Sequence, residues 1–133
     1  MAKKSNQEIF LKDYKAPAYL VDAVELNFEL HPSRTKLYSK INFRKNPNSN
    51  SARKFFLNGE NLNFLNAKID GNTVHPKLQK DGLECDVPNG PFLWECLVER
   101  DPSSNTSLEG LYMSNGMYCT QCEAEGFRKI CYY

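Results

Sequence analysis

The sequence predicts an all-β domain, an antiparallel sandwich or saddle of about seven to nine short strands. Three observations carry that reading. Apolar and polar residues alternate with period two in one segment after another, turn-forming pairs such as Asp70-Gly71 and Asn115-Gly116 punctuate the segments, and no helical period appears before the last residues. Alternation of this kind sends successive side chains to opposite faces, so that one face of each strand is buried and the other stays wet.

The elements follow in order. In residues 18–30, Val24, Leu26, Phe28 and Leu30 fall on one side and Glu25, Asn27 and Glu29 on the other, and His31-Pro32-Ser33 turns the chain. Residues 35–44 repeat the pattern with Leu37, Ile41 and Phe43 inward and Lys36, Lys40 and Arg44 outward; residues 46–51 are a turn-rich loop. Residues 54–57 read as a short buried strand ended by Asn58-Gly59. Residues 65–74 read as a hairpin about Asp70-Gly71, a pair that tolerates the positive φ of a type I′ turn. Leu83, Cys85 and Val87 alternate with Glu84 and Asp86 before residues 88–91 stop the strand. Phe92, Trp94, Cys96 and Val98 then share a face, residues 101–107 form a polar loop, and residues 110–120 form a hairpin turning at Asn115-Gly116. Deepest burial is expected in residues 24–30 and 92–98, with Trp94 a core residue.

At 133 residues the chain has the size of one domain, with residues 1–12 expected to be a flexible tail. Seventeen Lys and Arg residues against sixteen Asp and Glu leave a formal net charge of +1, spread along the chain, so neither nucleic acid nor an anionic membrane is an expected partner. No apolar run approaches membrane-spanning length, and the polar start followed by the interrupted Ile9-Phe10-Leu11 run does not make a signal segment. Five cysteines, an odd number, suit reduced thiols better than a disulfide framework, and point to the cytoplasm. Asn105-Thr106-Ser107 fits a glycosylation sequon, but a cytoplasmic setting leaves it unused.

The most distinctive segment is residues 119–133, CTQCEAEGFRKICYY, which gathers a thiol pair, an amide and two carboxylates ahead of terminal aromatics. It resembles the segment that closes the N-terminal domain of zinc aminopeptidases of the aminopeptidase N (alanyl aminopeptidase) type, the bacterial branch in particular. DYKAP at 13–17, LNGENL at 57–62 and NTSLEGLY at 105–112 extend the resemblance over residues 13–133. It implies a domain of antiparallel β-sheets in a larger hydrolase that removes N-terminal amino acids from peptides. In that family zinc polarises the carbonyl and activates water, and a glutamate of a helical His-Glu-x-x-His is the general base. Only His31 and His75 occur here, each before a proline in a loop, so zinc and its chemistry are expected outside this chain, in a catalytic domain that would be its partner, and the chain alone is expected to be inactive.

Matched to the family's segment, Glu123 falls on the carboxylate that grips the substrate's α-amine, and Gln121 on the amide that lines the pocket for the first side chain. An ammonium is a compact cation with three donors, to which carboxylate and amide oxygens are complementary. If residues 121–123 are extended, Gln121 and Glu123 point the same way and Cys122 faces the protein. Glu125 is expected to pair with Arg128 or Lys129. Phe127, Ile130, Tyr132 and Tyr133 are expected to be packing residues, with part of 130–133 exposed as a surface for the next domain.

Two other readings compete. The chain could be a non-catalytic β-sandwich binding module using the Trp94 face or the loops. It could also be a small metal or redox protein using Cys119 and Cys122, although a C-x-x-C without a second pair, or without a thioredoxin-like βαβ setting, supports neither chemistry well. Half-buried thiols that shape the pocket wall are the expectation instead.

Overall fold

The computed structural model describes residues 8–49 and 54–133 and contains ten strands among them. In chain order they are β1 (Tyr19–Glu29), β2 (Thr35–Lys45), β3 (Phe55–Asn58), β4 (Asn63–Ile69), β5 (Asn72–Val74), β6 (Lys77–Gln79), β7 (Gly82–Cys85), β8 (Phe92–Arg100), β9 (Gly110–Ser114) and β10 (Met117–Gln121). Every pairing is antiparallel. A five-stranded sheet has the order β1-β2-β8-β4-β5, a three-stranded sheet the order β3-β7-β6, and β9 and β10 form a hairpin of their own. Three short 3-10 turns, Leu11–Asp13, Pro102–Ser104 and Gly126–Lys129, are the only helical elements among the described residues. The all-β prediction holds.

The core lies where the small sheet covers the middle of the large one. β8 alternates as the sequence indicates, with Phe92, Trp94, Cys96 and Val98 buried, and Ile41 of β2 sits opposite Trp94. Phe55 of the small sheet meets Phe43, Phe92 and Trp94 with ring centroids at 5.0, 5.3 and 5.6 Å. Edge-on and tilted rings place positive edges on negative faces, worth roughly 0.5–1.5 kcal/mol per pair beyond the area they bury. Trp94 is fully buried, and its indole Nε1 has no hydrogen-bond partner.

Turn chemistry set the hairpins. Asp70 and Gly71 have φ of 49° and 81°, and Asn115 and Gly116 of 48° and 77°, so both central residues of each turn occupy the left-handed region that a two-residue hairpin with the natural twist requires. The β1–β2 turn is closed by Thr35, whose hydroxyl donates to the His31 carbonyl at 2.7 Å while accepting from the His31 N–H at 3.0 Å. The His31 Nδ1 accepts from the Ser33 and Arg34 N–H groups, both at 3.2 Å, so this histidine organises a turn.

Three expectations need correction. Residues 24–30 are not deeply buried: Val24 is 43% and Phe28 37% exposed, and Leu30 is exposed as well. The register puts Val24 opposite Ile41 and Phe28 opposite Leu37, hence on the inner face, but β1 is the edge strand, and within 24–30 only Leu26 packs against the core. The exposed surface expected within 130–133 is confined to Tyr133: Ile130, Cys131 and Tyr132 are buried, because the Gly126–Lys129 turn folds the chain back onto β3. Strand β6 was not anticipated, since its three residues, Lys77, Leu78 and Gln79, are all exposed and too few to show a period. Of the expected tail, residues 1–7 lie outside the described residues, as do residues 50 and 51 of the 46–51 loop.

Candidate functional site

Strand β10 carries the chain to Gln121, which pairs with Gly110 at the base of the β9–β10 hairpin. Residues 123–125 then turn, and Gly126–Lys129 closes as a 3-10 turn against the end of β10. Two glycines permit this approach. A Cβ on Gly126 would lie 2.4 Å from the Gln121 carbonyl oxygen, and one on Gly110, at φ 74°, would lie 2.8 Å from the Lys129 Cβ. Only glycine leaves room for backbone to pass so close to backbone.

Polar contacts hold the turn. The Gly126 N–H donates to the Cys122 carbonyl at 2.8 Å, and the Glu60 N–H donates to the Arg128 carbonyl at 2.9 Å. The Lys129 ammonium contacts the Glu109 carboxylate and lies 4.0 Å from that of Glu60; its side chain is only 14% exposed, so this cation is screened less than a surface lysine would be. Glu125 pairs with Arg128 at 3.5 Å, the first of the two partners expected for it.

Within this frame Gln121 and Glu123 are neighbours, and both are exposed. The Gln121 amide oxygen accepts the Glu123 N–H at 3.1 Å, so the side chain of one residue fixes the backbone of the other. No ion pair among the described residues reaches the Glu123 carboxylate. The Glu123–Ala124 peptide is cis. Beside the segment an open hollow of about 500 Å³ is lined by Ala124, Glu125, Phe127 and Arg128 with Val24 and Tyr133, but not by Gln121 or Glu123. The two glycines that build the turn were not singled out in the sequence, and Lys129, expected as an alternative partner of Glu125, pairs with Glu109 and Glu60 instead. The glycine of the EGF run and the glutamate–glycine pair at 109–110 were the available signal, visible only once both are known to meet.

The thiols divide by location. Cys122 is exposed and does not face the protein as expected, because it lies past the end of β10 and the chain turns at residue 123 instead of staying extended; Cys119 is half-buried. Burial pushes the Cys131 thiol up to about 11 and raises Cys96 further, Cys131 being its neighbour; both stay protonated and unreactive at neutral pH. Among the described residues no three His, Cys, Asp or Glu side chains gather as metal ligands would, so the residues present do not fit a zinc site. With Trp94 wholly enclosed, its face offers no ligand platform. Asn105, the sequon residue, spends its side chain on structure: its amide nitrogen donates to the Glu109 and Leu111 carbonyls at 2.8 Å each.

No family model matches the chain. Aminopeptidase N of Caulobacter vibrioides is 38% identical over 136 residues, spanning 100% of this chain and 16% of that protein. Aminopeptidase N of Haemophilus influenzae is 37% identical over 92% of this chain, and that of Escherichia coli 34% identical over 96%; each match takes up 14% of the relative. The chain thus spans between 14% and 16% of the curated relatives it matches. The crystal structure of Legionella pneumophila aminopeptidase A in complex with aspartic acid superposes with a TM-score of 0.82 at 30% identity, over 92% of this chain and 15% of that one. The chain thus resembles bacterial aminopeptidase N in sequence over its whole length and a bacterial aminopeptidase A in fold over nearly all of it, consistent with an N-terminal domain of such an enzyme.

Proposed function

We propose that this chain serves as the N-terminal domain of a metalloaminopeptidase that removes N-terminal amino acids from peptides, and that it supplies part of the substrate pocket and the anchor for the α-amine. The observation that carries the reading is the 38% identity to a bacterial aminopeptidase N along the entire chain. Glu123 grips the amine and Gln121 lines the pocket for the first side chain. A carboxylate about 4 Å from an ammonium contributes on the order of 4 kcal/mol at an effective dielectric of 20, before desolvation is subtracted. That difference favours a free terminus over an acylated one. The Gln121 amide oxygen, bonded to the Glu123 N–H, positions the carboxylate, and the amide's NH2 side remains to face a substrate carbonyl. Zinc belongs to the rest of the enzyme, the catalytic domain that is this domain's partner. The free thiols support a reducing, cytoplasmic setting.

The test joins this chain to a catalytic domain of the same family and measures kcat/KM with metal content recorded alongside. Glu123→Ala should lower kcat/KM for free-amine substrates by several kcal/mol of transition-state stabilisation, and Glu123→Gln by less. Gln121→Ala should change the preference among first residues more than the demand for a free amine. Wild-type rates for Glu123→Ala would remove the amine-anchor role, and lost metal would assign Glu123 to the metal centre instead.

A further inference from the structure

Two strand edges face each other on one side of the sandwich. β1 ends the large sheet, β3 ends the small one, and an apolar groove of about 570 Å³ runs between residues 17–21 and residues 54–58, floored by Phe43 and Phe55 and closed at one end by Tyr133. The Tyr19 ring stands 5.1 Å from Phe55, so the groove opens onto the aromatic core.

The free edge of β3 already carries the first rung of a ladder. The Asn58 N–H donates to the Tyr133 carbonyl at 2.9 Å, and the Tyr133 N–H donates to the Asn58 carbonyl at 3.0 Å. Mutual exchange of both bonds marks a hydrogen-bonded pair of antiparallel strands. Backbone groups alternate in direction along a strand, and Gly59 turns the other way, donating to the Asp81 carbonyl at 3.0 Å. Phe56 therefore presents its N–H and C=O on the same open edge as Asn58, while Phe55 and Leu57 face β7. An antiparallel strand that keeps this register pairs with Phe56 two positions beyond Tyr133 and with Lys54 four positions beyond it.

We propose that the β1–β3 groove is the docking site of an extended polypeptide strand that continues the register set by the Asn58–Tyr133 pair and adds a fourth strand to β3. Its chemistry follows from the pleat. Positions one and three beyond Tyr133 share the face of the buried Leu57 and Phe55, so they are apolar; positions two and four share the face of Asn58 and Phe56 and tolerate polar side chains. The strand comes from the remainder of the longer protein, since the relatives extend far beyond the matched segment. That source rests on the proposed function; the edge and its register do not.

The experiment appends a short run alternating valine and threonine after Tyr133, valine first, and compares it with the same run shifted by one position, which turns the valines outward. Amide hydrogen exchange is read residue by residue. The in-register extension should slow exchange of the Phe56 amide about tenfold or more, and the shifted one should not. Unchanged Phe56 exchange in both proteins would overturn the proposal. Protection appearing along β1 instead would assign the strand to the other edge and overturn it too. Phe56 protection that grows with protein concentration in the unextended chain would give the groove to a second copy.

Discussion

Gly59 lies under the ring of Tyr132: a Cβ built on the glycine would fall 2.3 Å from two ring carbons. Tyr132 is 5% exposed and sits 6.3 Å, ring to ring, from Phe64, so it has little room to retreat. Gly59 is thus what lets the terminal segment close over the small sheet. Gly59→Ala should destabilise the fold by about 1–3 kcal/mol, as overpacking does, and chemical denaturation would measure it. A neutral result would mean the terminal segment can lift without cost.

Trp94 separates packing from polarity. Trp94→Ala should cost roughly 3–5 kcal/mol, the usual loss for a buried aromatic. Trp94→Phe should cost markedly less, because it removes the unpartnered buried indole N–H, a liability of about 1–3 kcal/mol, while keeping a ring against Phe55. Equal losses in the two variants would show that the indole N–H has a partner in solution.

The thiols should respond to alkali in a definite direction. Because burial raises Cys131 to about 11 and Cys96 higher still, the unfolded chain releases these protons first as pH rises above about 9. Stability contributed by the protonated thiols is complete below that pH and falls through the window up to about 11, by at most about 1.4 kcal/mol per pH unit for each thiol. Cys131→Ala should flatten the slope of denaturation free energy against pH in that window. In native protein at pH 8, Cys122 should react with a thiol reagent first, and Cys96 and Cys131 only after unfolding.

Gly126 is the point at which the candidate site can be loosened without substituting Gln121 or Glu123. Gly126→Ala drives a methyl group into the Gln121 carbonyl and should release the 123–125 turn. Cleavage by a glutamate-specific protease at Glu123 and Glu125 should accelerate, while cleavage at glutamates in β8 stays slow. Unchanged cleavage would show that the turn relaxes around the added methyl.

Local pattern and tertiary context decided different things here. Period-two alternation in residues 35–44 and 92–98 determined the central strands and their buried faces, and the Asp70-Gly71 and Asn115-Gly116 pairs determined two hairpins, because each rests on geometry confined to a few neighbouring residues. The resemblance of residues 119–133 likewise singled out the segment that the structure shows as a braced turn, with Gln121 bonded to the Glu123 backbone. Tertiary structure alone decided that the equally regular pattern in β1 would stay half-open, since exposure of Val24 and Phe28 depends on what packs over an edge strand. It also decided that Ile130, Cys131 and Tyr132 would be core, and that Lys129 would join Glu109 to Glu60. Those contacts join residues distant in the chain, and an alternation pattern states which side of a strand is apolar without stating what, if anything, will cover it.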